Sequence, residues 1–166
     1  MKLWKPVLIA ALVAGILDLI YAFIHIGGYY DLTPMQILQS IARGVLGNAA
    51  NDGGWSSASL GLLLEFVLTA IMAAVYIIPA QWITDLRRFW WLLGPSYGVV
   101  VMVVMYVVVL PLSGAQGNSA LPDGLRGPDG PVMDHQILYG TIFAHTILVG
   151  LVVSACARFL WPKPGQ

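Results

Sequence analysis

The sequence predicts an all-α, polytopic membrane protein: a four-transmembrane-helix bundle with both termini in the cytoplasm. Of its 166 residues, 58% are hydrophobic and only 10% are charged. A soluble domain of this size carries about 25% charged residues. Four apolar stretches stand out, and each has the roughly 20 residues that an α-helix needs to cross a bilayer. We therefore expect a single membrane domain over residues 1–166.

The four predicted spans cover about residues 6–27, 57–83, 89–112 and 136–161. The third span contains a run of valines, a composition that is typical of strands in water. Inside a bilayer only helices and closed barrels satisfy the backbone, and this run is too long for a barrel strand. We therefore expect a helix there as well. The short connection after the second span predicts that the second and third spans are antiparallel neighbours.

An additional helix is predicted over about residues 33–47, between the first two spans. Thr33 suits the N-cap, Pro34 suits the first helical position, and Gly47 is placed to end the helix. Apolar residues recur at helical spacing, and polar residues take the other side. The apolar set is Met35, Leu38, Ile41, Ala42, Val45 and Leu46, and the polar set is Gln36, Gln39, Ser40 and Arg43. This pattern predicts a short amphipathic extracytoplasmic helix, either a structural clip between spans or a lid or partner surface.

The distribution of the eight basic residues predicts the orientation. Arg43 and Arg126 fall in the two outer connections, and the others lie at the termini or in the short connection between the second and third spans. Because basic residues accumulate in cytoplasmic loops, both termini are predicted to be cytoplasmic. The outer connection at about residues 113–134 is rich in Gly, Pro, Asp and Asn, which predicts turns or a mobile connector.

Charge and cysteine content restrict the partners. The formal net charge is zero, which argues against nucleic acid. The single cysteine, Cys156, excludes an internal disulfide. The expected partners are the lipid bilayer and either a second copy of the chain or another component of a membrane complex.

Three ionisable residues interrupt the predicted spans: Asp18, Glu65 and His145. Charge within a membrane span is costly and often marks a functional site. Counting at 1.5 Å per residue places all three at about the same depth, in the outer half of the bundle. Small residues accompany them at helical spacing, which predicts that they face the bundle interior and not lipid. His25 lies nearer the outer mouth and is a possible fourth member of this buried polar site.

Three interpretations of this polar site remain open. In the first, the side chains form hydrogen bonds that fix helix register, which is a structural role. In the second, they relay protons or bind a cation in transport, or in an accessory subunit of a transport complex. In the third, Asp18, Glu65 and His145 are metal or cofactor ligands of a membrane enzyme. Two carboxylates and an imidazole suit Zn, Mn or Fe, whereas Met102 and Met105 would suit Cu(I).

No short motif assigns a cofactor or a catalytic residue. The sequence lacks the HExxH and CxxC ligand patterns, a nucleophile elbow and a phosphate-binding glycine loop. A non-enzymatic membrane component with a buried polar site is therefore the favoured interpretation, and the metal- or cofactor-dependent enzyme is the alternative.

Several short segments resemble the YagU-like group of small, uncharacterised bacterial inner-membrane proteins. They are ALVAG in the first span, the apolar run ending at Tyr76 in the second, VLPLSG closing the third and IFAH in the fourth. The resemblance implies a four-span bundle in the bacterial inner membrane, without a defined biochemical activity. The group carries histidine where this chain has Glu65, and Asp18 has no ionised counterpart there, so a fixed three-ligand metal site does not follow from it.

Overall fold

The computed structural model describes residues 4–114 and 135–160, and within these two ranges it contains helices and no strands. Four helices are long and apolar enough to cross a membrane. The first spanning helix is Trp4–Tyr30, the second Gly54–Gln81, the third Trp90–Leu112 and the fourth His135–Phe159. The predicted all-α, four-span fold is therefore confirmed. Most of the predicted connector at residues 113–134 lies outside the described residues.

The first spanning helix is longer than predicted. It continues through Gly27 and Gly28 to Tyr30 and ends at Asp31, whose φ of 54° is left-handed. The backbone N–H of Asp31 donates to the Gly27 carbonyl and closes the last turn. Glycine is common in membrane-spanning helices, so the glycine pair does not end this one. The helix ends instead where the chain turns polar.

The amphipathic helix forms over Pro34–Leu46, as predicted. Thr33 and Gln36 form a capping box, in which the Thr33 N–H donates to Gln36 Oε1 at 2.8 Å and the Gln36 N–H donates to Thr33 Oγ1 at 3.3 Å. Gly47, with a φ of 59°, ends the helix, a conformation that a side chain would disfavour. A 3₁₀-helix, Gly47–Asp52, then leads into the second spanning helix.

The sides of the amphipathic helix differ partly from the prediction. Leu38 and Ala42 are buried as expected, but Val45 is 64% exposed. Gln39 and Arg43, predicted on the polar outer side, are both buried. The following segment explains this, because it supplies hydrogen-bond partners that water would otherwise provide. The Gln39 amide donates to the carbonyls of residues 51 and 54 and to a serine hydroxyl, and Arg43 donates to Asn48 at 2.8 Å.

Three of the spanning helices contain π-helical segments within the described residues. These are Ala22–Ile26 in the first, Met105–Val109 in the third and Ala144–Leu151 in the fourth. A π-helical turn widens the backbone by one residue per turn and is frequently found at functional sites in other proteins. His25 and His145 both lie in such segments.

The chain divides into two compact units. The first unit comprises Met1–Leu19, Phe66–Met102 and Phe143–Gln166. Its core is formed by small and medium apolar side chains and Tyr76, from the first, second and fourth spanning helices, with Tyr97 of the third packed against them. The Tyr97 hydroxyl donates to the Met72 carbonyl at 2.8 Å, which confirms that the second and third spanning helices are neighbours in this unit.

Glycines allow close backbone approach in the first unit. A Cβ on Gly94 would overlap the Ser154 hydroxyl and come within 2.9 Å of the Gly150 carbonyl oxygen. Gly94 lies on the third spanning helix, and Gly150 and Ser154 lie on the fourth. Close contact between backbones at small residues is how membrane helices associate, since lipid leaves little hydrophobic drive between them.

The second unit comprises Ile20–Glu65 and Val103–Ile142. Here the amphipathic helix contacts the second spanning helix so closely that a Cβ on Gly61 would overlap the Leu38 carbonyl. At the end of the third spanning helix, the Gly114 N–H donates to the Gly44 carbonyl at 2.9 Å. The amphipathic helix is therefore bound at both of these elements, which supports the structural-clip interpretation of it.

Candidate functional site

Asp18 and His145 come together in the first unit. Asp18 lies on the first spanning helix and His145 on the fourth, and both side chains are partly buried. They are close enough for an electrostatic attraction between the carboxylate and the imidazolium. Of the residues singled out from the sequence, these two form an acid–base pair inside the spanning helices.

The position of His145 is fixed by the third spanning helix. A Cβ on Gly98 would overlap the His145 carbonyl oxygen and lie 2.6 Å from the Thr146 Cα. The two helix backbones therefore touch at the level of His145, which is the second residue of the π-helical segment Ala144–Leu151. Glycine is required at this contact because any side chain would separate the helices.

The helix that carries Asp18 packs against side chains of the second spanning helix. One turn before it, Gly15 faces the second spanning helix, where a Cβ would lie 2.9 Å from the Phe66 ring and 3.2 Å from Thr69 Oγ1. The next residue after Asp18, Leu19, is buried. The carboxylate is thus attached to a stretch of helix that packs against the second spanning helix on one side of Asp18.

Glu65 belongs to the second unit, where its side chain is 9% exposed. Its side chain is therefore buried, which is what a residue facing the bundle interior requires. It lies one turn after Gly61, the glycine that contacts the amphipathic helix. The common depth of Asp18, Glu65 and His145 stays a prediction.

His25 occupies a second polar site, also in the second unit. Its ring stacks on Tyr21 with the centroids 5.0 Å apart and an interplanar angle of 21°. Its Nε2 atom is buried and has no hydrogen-bond partner in the part of the chain that the structure describes. That atom points at Gly140 of the fourth spanning helix, where a Cβ would overlap it and lie 2.6 Å from the Tyr21 hydroxyl. We call this arrangement the His25 notch.

The residue after Gly140 also contacts the third spanning helix. Thr141 is hydrogen-bonded to Tyr106, which lies in the π-helical segment Met105–Val109 of the third spanning helix. Two π-helical segments of the second unit therefore contact adjacent residues of the fourth spanning helix. Gly140 was not singled out from the sequence, because the sequence does not indicate which side chain a glycine in an apolar span contacts.

The metal interpretation gains no support from the described residues. Residues 4–114 and 135–160 contain no group of three or more His, Cys, Asp or Glu side chains that could hold a metal ion. Met102 and Met105 are both partly buried, and Met105 opens a π-helical segment. The third histidine, His135, stacks on Tyr139 at the start of the fourth spanning helix, with centroids 6.4 Å apart.

Comparison with known proteins adds no family or fold assignment. No protein-family model matches the chain, and no match was found among curated proteins or solved structures. The resemblance to the YagU-like group therefore stays a prediction. Function has to be inferred from the chemistry of the acid–base pair and its surroundings.

Proposed function

We propose that this chain is a non-enzymatic component of proton-linked transport, in which the Asp18–His145 pair binds and releases the transported or coupled proton. The observation that carries the proposal is the electrostatic pairing of a carboxylate with an imidazole inside spanning helices. Intramembrane Asp, Glu and His residues pair with one another and form the proton relays of pumps and transporters. Imidazole is suited to this because its unperturbed pKa is close to physiological pH.

The pair can pass a proton between its two members without acquiring a net charge. With one proton shared between them, the two groups carry no net charge, whether the proton lies on the carboxylate or on the imidazole. Because the groups interact, their protons are gained and lost as a coupled system and not independently. A pair of this kind can receive a proton from one side of the membrane and release it to the other, provided that access alternates.

A proton suits the pair better than a metal cation does. Binding a divalent cation requires several ligands, and the described residues offer no cluster of three such side chains. We propose the bacterial inner membrane as the location, on the basis of the resemblance to the YagU-like group and the distribution of basic residues. We further propose that the chain works as a homo-oligomer or with a membrane partner, because four spans alone form a narrow conduit.

Proton flux in proteoliposomes tests the function. Purified protein is reconstituted with a pH-sensitive dye inside, and a potassium diffusion potential drives proton entry. We expect flux above that of empty liposomes, with at least a tenfold decrease in Asp18→Asn and in His145→Gln. Asp85→Asn is the matched control, since Asp85 is an exposed carboxylate of the connection between the second and third spanning helices.

The same preparations separate transport from the other two interpretations. If both variants only lowered thermal stability and left flux unchanged, the pair would be structural and the proposal would be wrong. Metal analysis of the wild type and of Glu65→Ala covers the alternative. Stoichiometric metal that is lost in Glu65→Ala, together with no proton flux, would favour the metal-dependent enzyme.

A further inference from the structure

One end of the first unit carries a cluster of arginines and aromatic rings. The short helix Asp85–Arg88 contacts the helical segment Val152–Phe159 at the end of the fourth spanning helix. The contact brings together two segments that carry three arginines. We define the arginine–aromatic rim as Arg87, Arg88, Arg158, Trp90, Trp91 and Phe159.

The rim is held in place by the core of the first unit. Leu86 packs against that core, and its carbonyl accepts a hydrogen bond from the Tyr76 hydroxyl at 2.8 Å. Within the rim itself, the rings of Trp90 and Phe159 pack edge to face with their centroids 5.3 Å apart. Leu86 therefore anchors the short helix to the core, and Trp90, the first residue of the third spanning helix, contacts Phe159.

The surface of the rim combines positive charge with exposed aromatic area. Arg88 and Arg158 are exposed, and the Arg88 guanidinium lies 5.1 Å from the centroid of the Phe89 ring. Trp91 is 60% exposed and Phe159 is 68% exposed. Asp85 is the single acidic residue of these two segments. The rim therefore has an excess of positive charge next to large apolar rings.

We propose that the arginine–aromatic rim binds the phosphate headgroups of anionic phospholipids. Guanidinium groups bind phosphate oxygens through two parallel hydrogen bonds, and they stack on aromatic rings while doing so. Tryptophan and other aromatic rings lie at the headgroup level of bilayers, and basic pockets of spanning helices bind anionic headgroups. A soluble phosphate would use the arginines but not the exposed rings, which fit beside acyl chains. The proposal is independent of the proton-transport function.

Lipid binding to the purified full-length protein provides the test. Dissociation constants for phosphatidylglycerol and phosphatidylcholine are measured by native mass spectrometry in detergent. We expect the wild type to prefer phosphatidylglycerol by at least tenfold. The double variant Arg88→Gln/Arg158→Gln should lose this preference, because both arginines are exposed and their replacement removes charge without opening the core.

Charge-preserving variants and a soluble ligand complete the experiment. Arg88→Lys/Arg158→Lys should show a preference between those of the wild type and the Gln variant, because lysine keeps the charge but not the paired hydrogen bonds or the ring stacking. Glycerol phosphate, which lacks acyl chains, should not compete at concentrations equal to the lipid. Equal affinity of the wild type for both lipids, an unchanged preference in the Gln variant, or full competition by glycerol phosphate would each overturn the proposal. If the double variant aggregates, each single Gln variant serves instead, with an expected loss of about threefold.

Discussion

The Asp18–His145 pair and the His25 notch are two ways of placing an ionisable side chain inside spanning helices. In the first, the imidazole meets a carboxylate on another helix. In the second, the imidazole stacks on a tyrosine and presses its Nε2 atom against a glycine, with no hydrogen-bond partner among the described residues. The two histidines therefore differ in what the imidazole faces: His145 faces an ionisable side chain, and His25 faces an aromatic ring and a glycine.

The two regions also differ in the kind of atom that a glycine faces. Gly98, beside His145, faces the backbone of the fourth spanning helix, whereas Gly140 faces the ends of the His25 and Tyr21 side chains. A backbone cannot move without displacing its helix, but a side chain can change its rotamer. The same glycine-to-alanine substitution should therefore cost much more in the first region than in the second.

Gly98→Ala is expected to have the largest effect. Overpacking against a backbone costs about 3 kcal/mol, and the better helix propensity of alanine returns about 1 kcal/mol. The free energy of unfolding in detergent should therefore fall by about 2 kcal/mol, as measured by titration with a denaturing detergent. Gly28→Ala is the control, because a Cβ there has no neighbour within 4 Å. A loss at Gly28 equal to that at Gly98 would contradict the proposed backbone contact.

His145→Phe should have the next largest effect, because it leaves Asp18 without its electrostatic partner. Polar interactions between membrane helices contribute about 0.6–2 kcal/mol, so we expect a decrease of about 1.5 kcal/mol in unfolding free energy. The double variant Asp18→Leu/His145→Phe should recover most of this loss, since replacing both partners by apolar groups can be nearly neutral. If the double variant is no more stable than His145→Phe, the two residues are not energetically coupled.

Prediction from sequence succeeded for features that depend on composition and on the spacing of residues along one helix. The four spans and the capping of the amphipathic helix follow from length, hydropathy and the order of the capping residues. Glu65, for which helical spacing predicts an inward facing, has a buried side chain. These features are determined by the local sequence, so one chain is enough to predict them.

The contacts between helices could not be predicted in the same way. Nothing in the sequence indicates the π-helical segments, each of which rotates the residues that follow it relative to a regular helix. The burial of Gln39 and Arg43 depends on hydrogen-bond partners in the connecting segment. The spacing of residues along a helix does not predict the conformation of such a segment. The pairing of His25 with Gly140 depends on the relative register of two helices, which hydropathy leaves undetermined.

Gly140→Ala should cost less than Gly98→Ala. The new methyl group meets the ends of the His25 and Tyr21 side chains, which can shift, so we expect an overpacking cost of about 2 kcal/mol. The helix propensity of alanine returns about 1 kcal/mol, which leaves a net loss of about 1 kcal/mol. His25→Ala should rescue it, because removing the imidazole vacates the space that the methyl group needs. A double-mutant cycle of Gly140→Ala and His25→Ala measures this coupling. Independent, additive losses would show that the notch is absent.

His25→Phe is expected to have the smallest effect and compares most directly with His145→Phe. Phenylalanine keeps the ring that stacks on Tyr21 and removes a buried nitrogen that has no hydrogen-bond partner among the described residues. Because replacing an unsatisfied polar group by an apolar group of similar shape is nearly neutral or stabilising, the unfolding free energy should change by less than about 0.5 kcal/mol. A loss as large as that of His145→Phe would mean that His25 has a polar partner, such as a bound water or ion. In that case the His25 notch would have to be reconsidered as a second proton-binding site.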